Sequence, residues 1–209
     1  MRAAGLHVGL DFDNTLACYD DLFHRLARER GLLPDGVPRS KRAVREALCA
    51  RGLEDAWTEL QGVAYAERLL EAPPSAGVSE FLAALRRAGA RVCVISHKTR
   101  FPARGPRRDL HAAARRWLAH AELLEPERTG LSLERVFFEP SAAAKRVRIA
   151  ERGCTHFVDD LPEFLLAPDF PAGVARIHFS PGSSPPRPGL PTARSFAEIA
   201  GLVLGGADR

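Results

Sequence analysis

Cysteine is scarce in this sequence, and its four copies, Cys18, Cys49, Cys93 and Cys154, lie far apart with no CxxC pair. That spacing excludes a disulfide-stapled miniprotein. Scattered cysteines in a chain of this size are expected to be reduced and partly buried, which points to a cytoplasmic location. Long apolar runs are missing too: none approaches the ~18–20 residues that span a membrane. The apolar start from Ala3 to Leu10 is broken by His7 and ended by Asp11, which is not the pattern of a signal peptide. Charge of one sign is not dominant, with 30 Lys+Arg against 26 Asp+Glu and a net charge of +4. So small an excess hints at anionic ligands and decides little by itself. There is no internal repeat. What is present, 45% hydrophobic and 27% charged residues, is the composition of an ordinary globule and excludes dominant disorder. The 209 residues suit one domain, or a core domain with a small insertion.

Leu6 to Leu10 is a short apolar run ending in acidic residues, the pattern of a buried strand. From Tyr19 to Glu71 the period changes. Leu22, Phe23, Leu26 and Ala27 recur at helical spacing, as do Val44, Ala47 and Leu48, and then Trp57, Leu60, Val63 and Ala64. Pro34, Pro38 and Gly52 separate these groups, so the stretch reads as two or three helices with no strand between them. Pro73-Pro74 ends the block, and an amphipathic helix follows from Val78 to Arg87, stopped by Gly89. Further strands are expected at Val92–Ile95, Arg135–Phe138, His156–Val158 and Val174–Phe179. Helices are expected at Leu110–Leu124, Ser141–Arg152 and Ser195–Leu204. Residues 180–192, with five prolines and two glycines, read as irregular.

Strands alternating with helices predict an α/β fold: a Rossmann-like parallel sheet with helices on both faces. Residues 1–17 and 73–209 would form this core domain, and 18–72 a small helical domain inserted after the first strand. In such sheets ligands bind at the carboxyl ends of the strands. The first strand is followed there by Asp11-Phe12-Asp13-Asn14-Thr15, the second by Ser96-His97-Lys98-Thr99, and the fourth by Asp159-Asp160. Lys145 sits near the start of the helix that feeds the fourth strand. Carboxylates gathered at one point repel one another, and a cation is the usual remedy. All-oxygen ligands suit a hard ion such as Mg2+. Mg2+ with carboxylates, a lysine and a small hydroxyl is what phosphoryl transfer needs, and a carboxylate can itself be the nucleophile.

In this order, Asp11-x-Asp13-x-Thr15-Leu16 after a strand, a strand-end Ser96, Lys145 and Asp159-Asp160 resemble the motifs of the haloacid dehalogenase (HAD) superfamily, phosphatase type. They frame residues 6 to 164. The resemblance implies a role for each residue. Asp11 matches the nucleophile, and Asp13 the general acid that protonates the leaving oxygen and later activates water. The backbone carbonyl of Asp13 matches a metal ligand. Thr15 supports the loop and the phosphate site, Ser96 binds the transferring phosphoryl oxygens, and Lys145 offsets the charge of Asp11 and the phosphate. Asp160 matches a direct Mg2+ ligand, and Asp159 holds a metal-bound water or ligates directly. A second acid at position 13 favours phosphate esters, whose leaving alcohol must be protonated. The block 18–72 matches the family's cap, which contacts substrate and excludes water.

His97, Lys98 and Arg100 follow Ser96 closely enough to be candidate substrate contacts. Arg100, Arg104, Arg107 and Arg108 form a basic loop with two readings: one or two of them bind a second anionic group on the substrate, or the loop is simply solvated. Trp57 and Tyr65 suit stacking on a sugar or base, or core packing. The expected activity is Mg2+-dependent hydrolysis of a small phosphorylated metabolite, a sugar phosphate or nucleotide, through an aspartyl phosphate. Alternatives are a phosphatase of nucleic acid ends, a phosphomutase, and a non-catalytic regulatory or assembly module. Little aromatic interleaving near the arginines speaks against nucleic acid, and the intact acid set speaks against a non-catalytic module.

Overall fold

The computed structural model describes residues 5–182 and 187–205. In chain order the elements are β1 (His7–Leu10), α1 (Asp20–Glu29), α2 (Lys41–Cys49), α3 (Glu54–Tyr65), α4 (Val78–Arg87), β2 (Arg91–His97) and α5 (Leu110–His120). There follow a single turn, α6 (Pro126–Thr129), then β3 (Val136–Glu139), α7 (Ala142–Glu151), β4 (His156–Asp159), α8 (Pro162–Leu165), β5 (Ala175–Phe179), β6 (Thr192–Ala193) and α9 (Phe196–Leu204). The chain divides into two compact units. One comprises Met1–Leu16, Ser75–His97 and Glu122–Arg209; the other comprises Ala17–Pro74 and Lys98–Ala121.

The first unit is built on a six-stranded sheet of order β3-β2-β1-β4-β5-β6, parallel at every pairing. Five strands are expected from the apolar runs. The sixth, Thr192–Ala193, lies in the proline-rich stretch read as irregular, and is only two residues long. Nothing so short carries a periodicity. Part of that stretch, 183–186, lies outside the described residues. Strand alternation sends Cys93 and Ile95 of β2 to one face. There they pack with Ile149 of α7, Phe157 of β4, and Phe164 and Leu165 of α8. Val92 and Val94 turn to the other side, where α4 packs along β2. Phe81 of α4 meets Phe196 of α9 with ring centroids 5.4 Å apart. Ser141 and Ser195 cap α7 and α9, each hydroxyl accepting the backbone N–H three residues on.

The second unit is all helical. Tyr19, Phe23, Trp57 and Tyr65 form its aromatic centre: Phe23 and Trp57 lie 4.8 Å apart and Tyr19 and Tyr65 5.1 Å apart. Trp57 is buried, which answers the choice between stacking and packing in favour of packing. The unit is larger than the inserted block, because α5 and the arginine loop belong to it. The buried Trp117 of α5 donates its indole N–H to the Ala72 carbonyl at 2.7 Å. Helix α5 stops at His120, short of Leu124; Glu122 adopts a left-handed φ of 55°, which a continuing helix does not allow. The arginine loop seats itself on α3 at Gly62. A Cβ there would lie 3.1 Å from the Arg104 carbonyl oxygen and 3.2 Å from Pro102, so a helix-interior glycine is kept despite its propensity cost of about 1 kcal/mol.

Candidate active site

Parallel register brings the carboxyl ends of β1, β2 and β4 side by side. Leu10, the last residue of β1, pairs with Val94 and with Val158. Asp11 follows it, and its N–H extends the ladder to the Val158 carbonyl at 2.9 Å. Asp159 ends β4 beside it, Asp160 comes next, and Ser96 is the second-last residue of β2. Carboxylate oxygens of Asp11, Asp159 and Asp160 all lie within 4.8 Å of one another. Asp11 and the pair Asp159-Asp160, more than a hundred residues apart in sequence, therefore share one corner of the sheet.

Lys145 enters this corner from the first turns of α7. Its Nζ donates to Asp11 Oδ1 and to Asp159 Oδ2, both at 2.5 Å. The ammonium also sits 4.3 Å from the centroid of the Phe164 ring. Lys145, Asp11 and Asp159 are 2%, 5% and 0% exposed, so these charges interact with little help from water. Burial alone would lower the lysine's pKa, but the two carboxylates outweigh it and hold the ammonium above its ordinary value. Asp159 shows the other side of the imbalance. Burial pushes its carboxyl up to about 7; Lys145 opposes this rise and Asp11 adds to it. Lys145 pairs with two of three clustered carboxylates, an all-oxygen donor set of the kind that could hold a cation.

The loop after β1 is fixed by its backbone. Asn14 takes a left-handed φ of 58°, a conformation that asparagine tolerates better than most residues. Leu16 N–H donates to the Phe12 carbonyl at 3.0 Å, and Ser75 Oγ donates to the Thr15 carbonyl at 2.7 Å. Thr15 is fully buried, and its Oγ1 has no hydrogen-bond partner. On the β4 side, Asp159 Oδ1 accepts the Leu161 N–H at 2.9 Å, so this carboxylate holds its own loop with one oxygen and Lys145 with the other.

Of the residues singled out in the sequence, Asp11, Asp159, Asp160 and Lys145 are thus brought together. Ser96 is buried near the end of the neighbouring strand. Asp13 is half-buried on the same loop as Asp11, and its side chain is not among the clustered carboxylates. His97 ends β2 and is exposed. Lys98 and Arg100 belong to the helical unit. There Lys98 is buried with its ammonium 4.6 Å from the Tyr65 ring centroid, and Arg100 pairs with Asp109 at 2.9 Å. Two contributors escaped the sequence reading. Ser75 and Phe164 support the site from segments whose patterns say only loop and core, and no local signal marks either.

Comparison with known proteins supports this architecture at the level of the fold. No family model and no curated protein matches the sequence, but solved structures do match it in space. One is a HAD family hydrolase from Deinococcus radiodurans with bound phosphate and sodium, similar with a TM-score of 0.60 at 17% identity over 98% of this chain and 97% of that one. A HAD-hydrolase from Bacillus subtilis bound to magnesium gives 0.56 at 14% identity, over 97% and 99% of the two chains. A dehalogenase gives 0.57 at 16% identity, over 97% and 98%. The chain has the haloacid dehalogenase-type α/β fold.

Proposed function

We propose that this protein is a Mg2+-dependent phosphatase that hydrolyses a small phosphorylated metabolite through an aspartyl phosphate on Asp11. The observation that carries the reading is the corner itself: Asp11 and Asp159 bridged by Lys145 at 2.5 Å, with Asp160 completing a cluster of three carboxylates. The donor set fits the ion. Oxygen donors clustered around surplus negative charge suit a hard divalent cation, with Asp11, Asp160 and the Asp13 carbonyl as ligands and Asp159 beside them. Bound there, Mg2+ would neutralise charge on the phosphoryl oxygens.

The chain's own residues perform the rest. The Asp11 oxygen not bonded to Lys145 attacks phosphorus as the P–O bond to the leaving group breaks, and Asp13 gives the leaving-group oxygen its proton. Asp13, now a carboxylate, takes a proton from water; the water oxygen bonds phosphorus, the aspartyl bond breaks, and phosphate leaves. Lys145 offsets the charge of Asp11 and of the phosphoryl group, the Ser96 hydroxyl donates to a phosphoryl oxygen, and Thr15 holds the loop. His97, at the end of β2, and Lys98 and Arg100, which follow it in the chain, are assigned as substrate contacts. Among the described residues no helix is long and apolar enough to cross a membrane. The four cysteines are free thiols, which supports a reducing, cytoplasmic setting.

Three of the loop arginines are matched by acids inside their own unit: Arg100 by Asp109, Arg104 by Asp55 and Arg108 by Glu67. This favours a solvated loop over a track for nucleic acid. The test is phosphate release with Mg2+ across sugar phosphates, nucleotides and phospho-acids. Asp11→Asn and Asp13→Asn should each abolish release without unfolding the protein, and Asp160→Ala should weaken Mg2+ dependence. Full activity in Asp11→Asn overturns the nucleophile assignment. Halide release from haloacids with no phosphate release overturns the substrate class, and phosphate passed to an acceptor without appearing in solution marks a mutase.

A further inference from the structure

A second cluster lies in the sheet away from the carboxylate corner. His7 opens β1, Cys93 is the third residue of β2, and Cys154 lies two residues before β4. Asp11 lies four positions beyond His7 along extended chain, about 13 Å away at ~3.3 Å per residue. Gly9 pairs with Cys93 across the β1–β2 ladder, and alternation puts His7 on the same face as position 9. The glycine keeps that face open: a Cβ there would stand 3.1 Å from Cys154 Sγ. Thr155, next to Cys154, locks onto His7, its N–H donating to the His7 carbonyl at 2.8 Å and its Oγ1 accepting the His7 N–H at 3.0 Å.

The three side chains meet in this space. Cys93 Sγ and Cys154 Sγ are 3.8 Å apart, and one ligand atom from each of His7, Cys93 and Cys154 lies within 4.8 Å of the others. All are buried, at 2%, 0% and 6% exposure. The His7 Nδ1 is buried with no hydrogen-bond partner. An orphaned imidazole nitrogen beside two free thiols is costly unless something else takes its lone pair.

We propose that His7, Cys93 and Cys154 form a soft-metal site of the Zn2+ class. Two thiolates on one tetrahedral zinc at about 2.3 Å stand ~3.8 Å apart, the sulfur separation this fold already holds. Binding releases the two thiol protons, and two thiolates with a neutral imidazole balance the 2+ charge, so the buried complex is neutral. Three protein ligands leave a fourth position for water or a small anion. The ion would tie β1 to β2 and to the entry of β4. Its donors are soft, so it does not compete with Mg2+ for the oxygen cluster.

The test is titration of the reduced, metal-free full-length protein with Co2+, whose thiolate complexes absorb in the near ultraviolet where carboxylate complexes do not. One equivalent should raise this band, Zn2+ should abolish it, and excess Mg2+ should leave it. Cys18→Ser/Cys49→Ser, which spares the cluster, should keep the band. Cys154→Ala and His7→Phe, each checked for folding by circular dichroism, should lose or weaken it, and Zn2+ should raise Tm only in proteins with all three ligands. A folded wild-type protein with no band overturns the proposal. So does a band that survives Cys93→Ala/Cys154→Ala, or oxidation of the pair to a disulfide in a protein that takes up no metal.

Discussion

Replacing Lys145 by methionine keeps an unbranched side chain one atom shorter and removes its charge. Asp11 and Asp159, both buried, then share the corner without the ammonium. Two unit charges no more than 4.8 Å apart repel by at least about 3.5 kcal/mol at an effective dielectric of ~20, and both attractions to the ammonium are lost as well. Removing one partner of a buried ion pair typically costs about 3–5 kcal/mol. The variant is expected to lose stability in that range at pH 8 in chelator, read as a fall in the urea midpoint with an unchanged m-value.

Three further readings separate this account from general core damage. Mg2+ should restore part of the loss in Lys145→Met and stabilise wild type less, because it replaces the missing positive charge. Acidification towards pH 5 should shrink the deficit, because protonating one carboxyl removes the repulsion. The double variant Lys145→Met/Asp159→Asn should be more stable than the single one, since it leaves one buried carboxylate instead of two. A Lys145→Met protein as stable as wild type in chelator at pH 8, or one indifferent to Mg2+ and pH, would refute the electrostatic reasoning.

Other consequences are separable. Gly9→Ala puts a Cβ 2.5 Å from Phe157 Cδ2 and should cost about 1–3 kcal/mol by overpacking, measured by urea denaturation. Gly62→Leu should lift the arginine loop off α3, speeding tryptic cleavage after Arg100, Arg104, Arg107 or Arg108 and leaving the sheet unit intact; an unchanged digestion rate rejects that seating. Burial lowers the pKa of His7, His156 and His178 below 6.5, with nearby arginines contributing at His7 and His178. Protonation therefore favours the unfolded chain, and the stability these residues give above their unfolded pKa is lost as pH falls through the lower folded values. Tm should drop on going from pH 7 towards 5, and His156→Gln should flatten part of that slope.

The first-unit fold was readable because parallel strands buried on both faces leave continuous apolar runs, as at Val92–Ile95 and His156–Val158. The acids after those runs were readable for the same reason, since the strand ends fix where they lie. Lys145 needed the resemblance, because a lysine between Ala144 and Arg146 looks like any solvated helix residue, yet it is 2% exposed. The assignment of α5 and the arginine loop to the helical unit was not readable. It depends on Trp117 reaching the Ala72 carbonyl and on a loop lying against Gly62, contacts between segments more than 40 residues apart that leave no local period.

The same distinction bears on charge. A net charge of +4 suggests an affinity for anions, but the loop arginines that give that impression are largely spent on acids of their own unit. At the corner of the sheet the sign is reversed: Lys145 sits among clustered carboxylates, and burial drives Asp159 up to about 7. An anionic substrate entering such a corner alone would meet repulsion. On the proposed reading a divalent cation removes it, so the metal, more than the basic loop, would make phosphate binding favourable here. Substrate affinity should therefore collapse in chelator and change little when Arg104 or Arg108 is replaced by glutamine. The opposite pattern, measured by binding of a non-hydrolysable phosphate analogue, would return the loop to the centre of recognition.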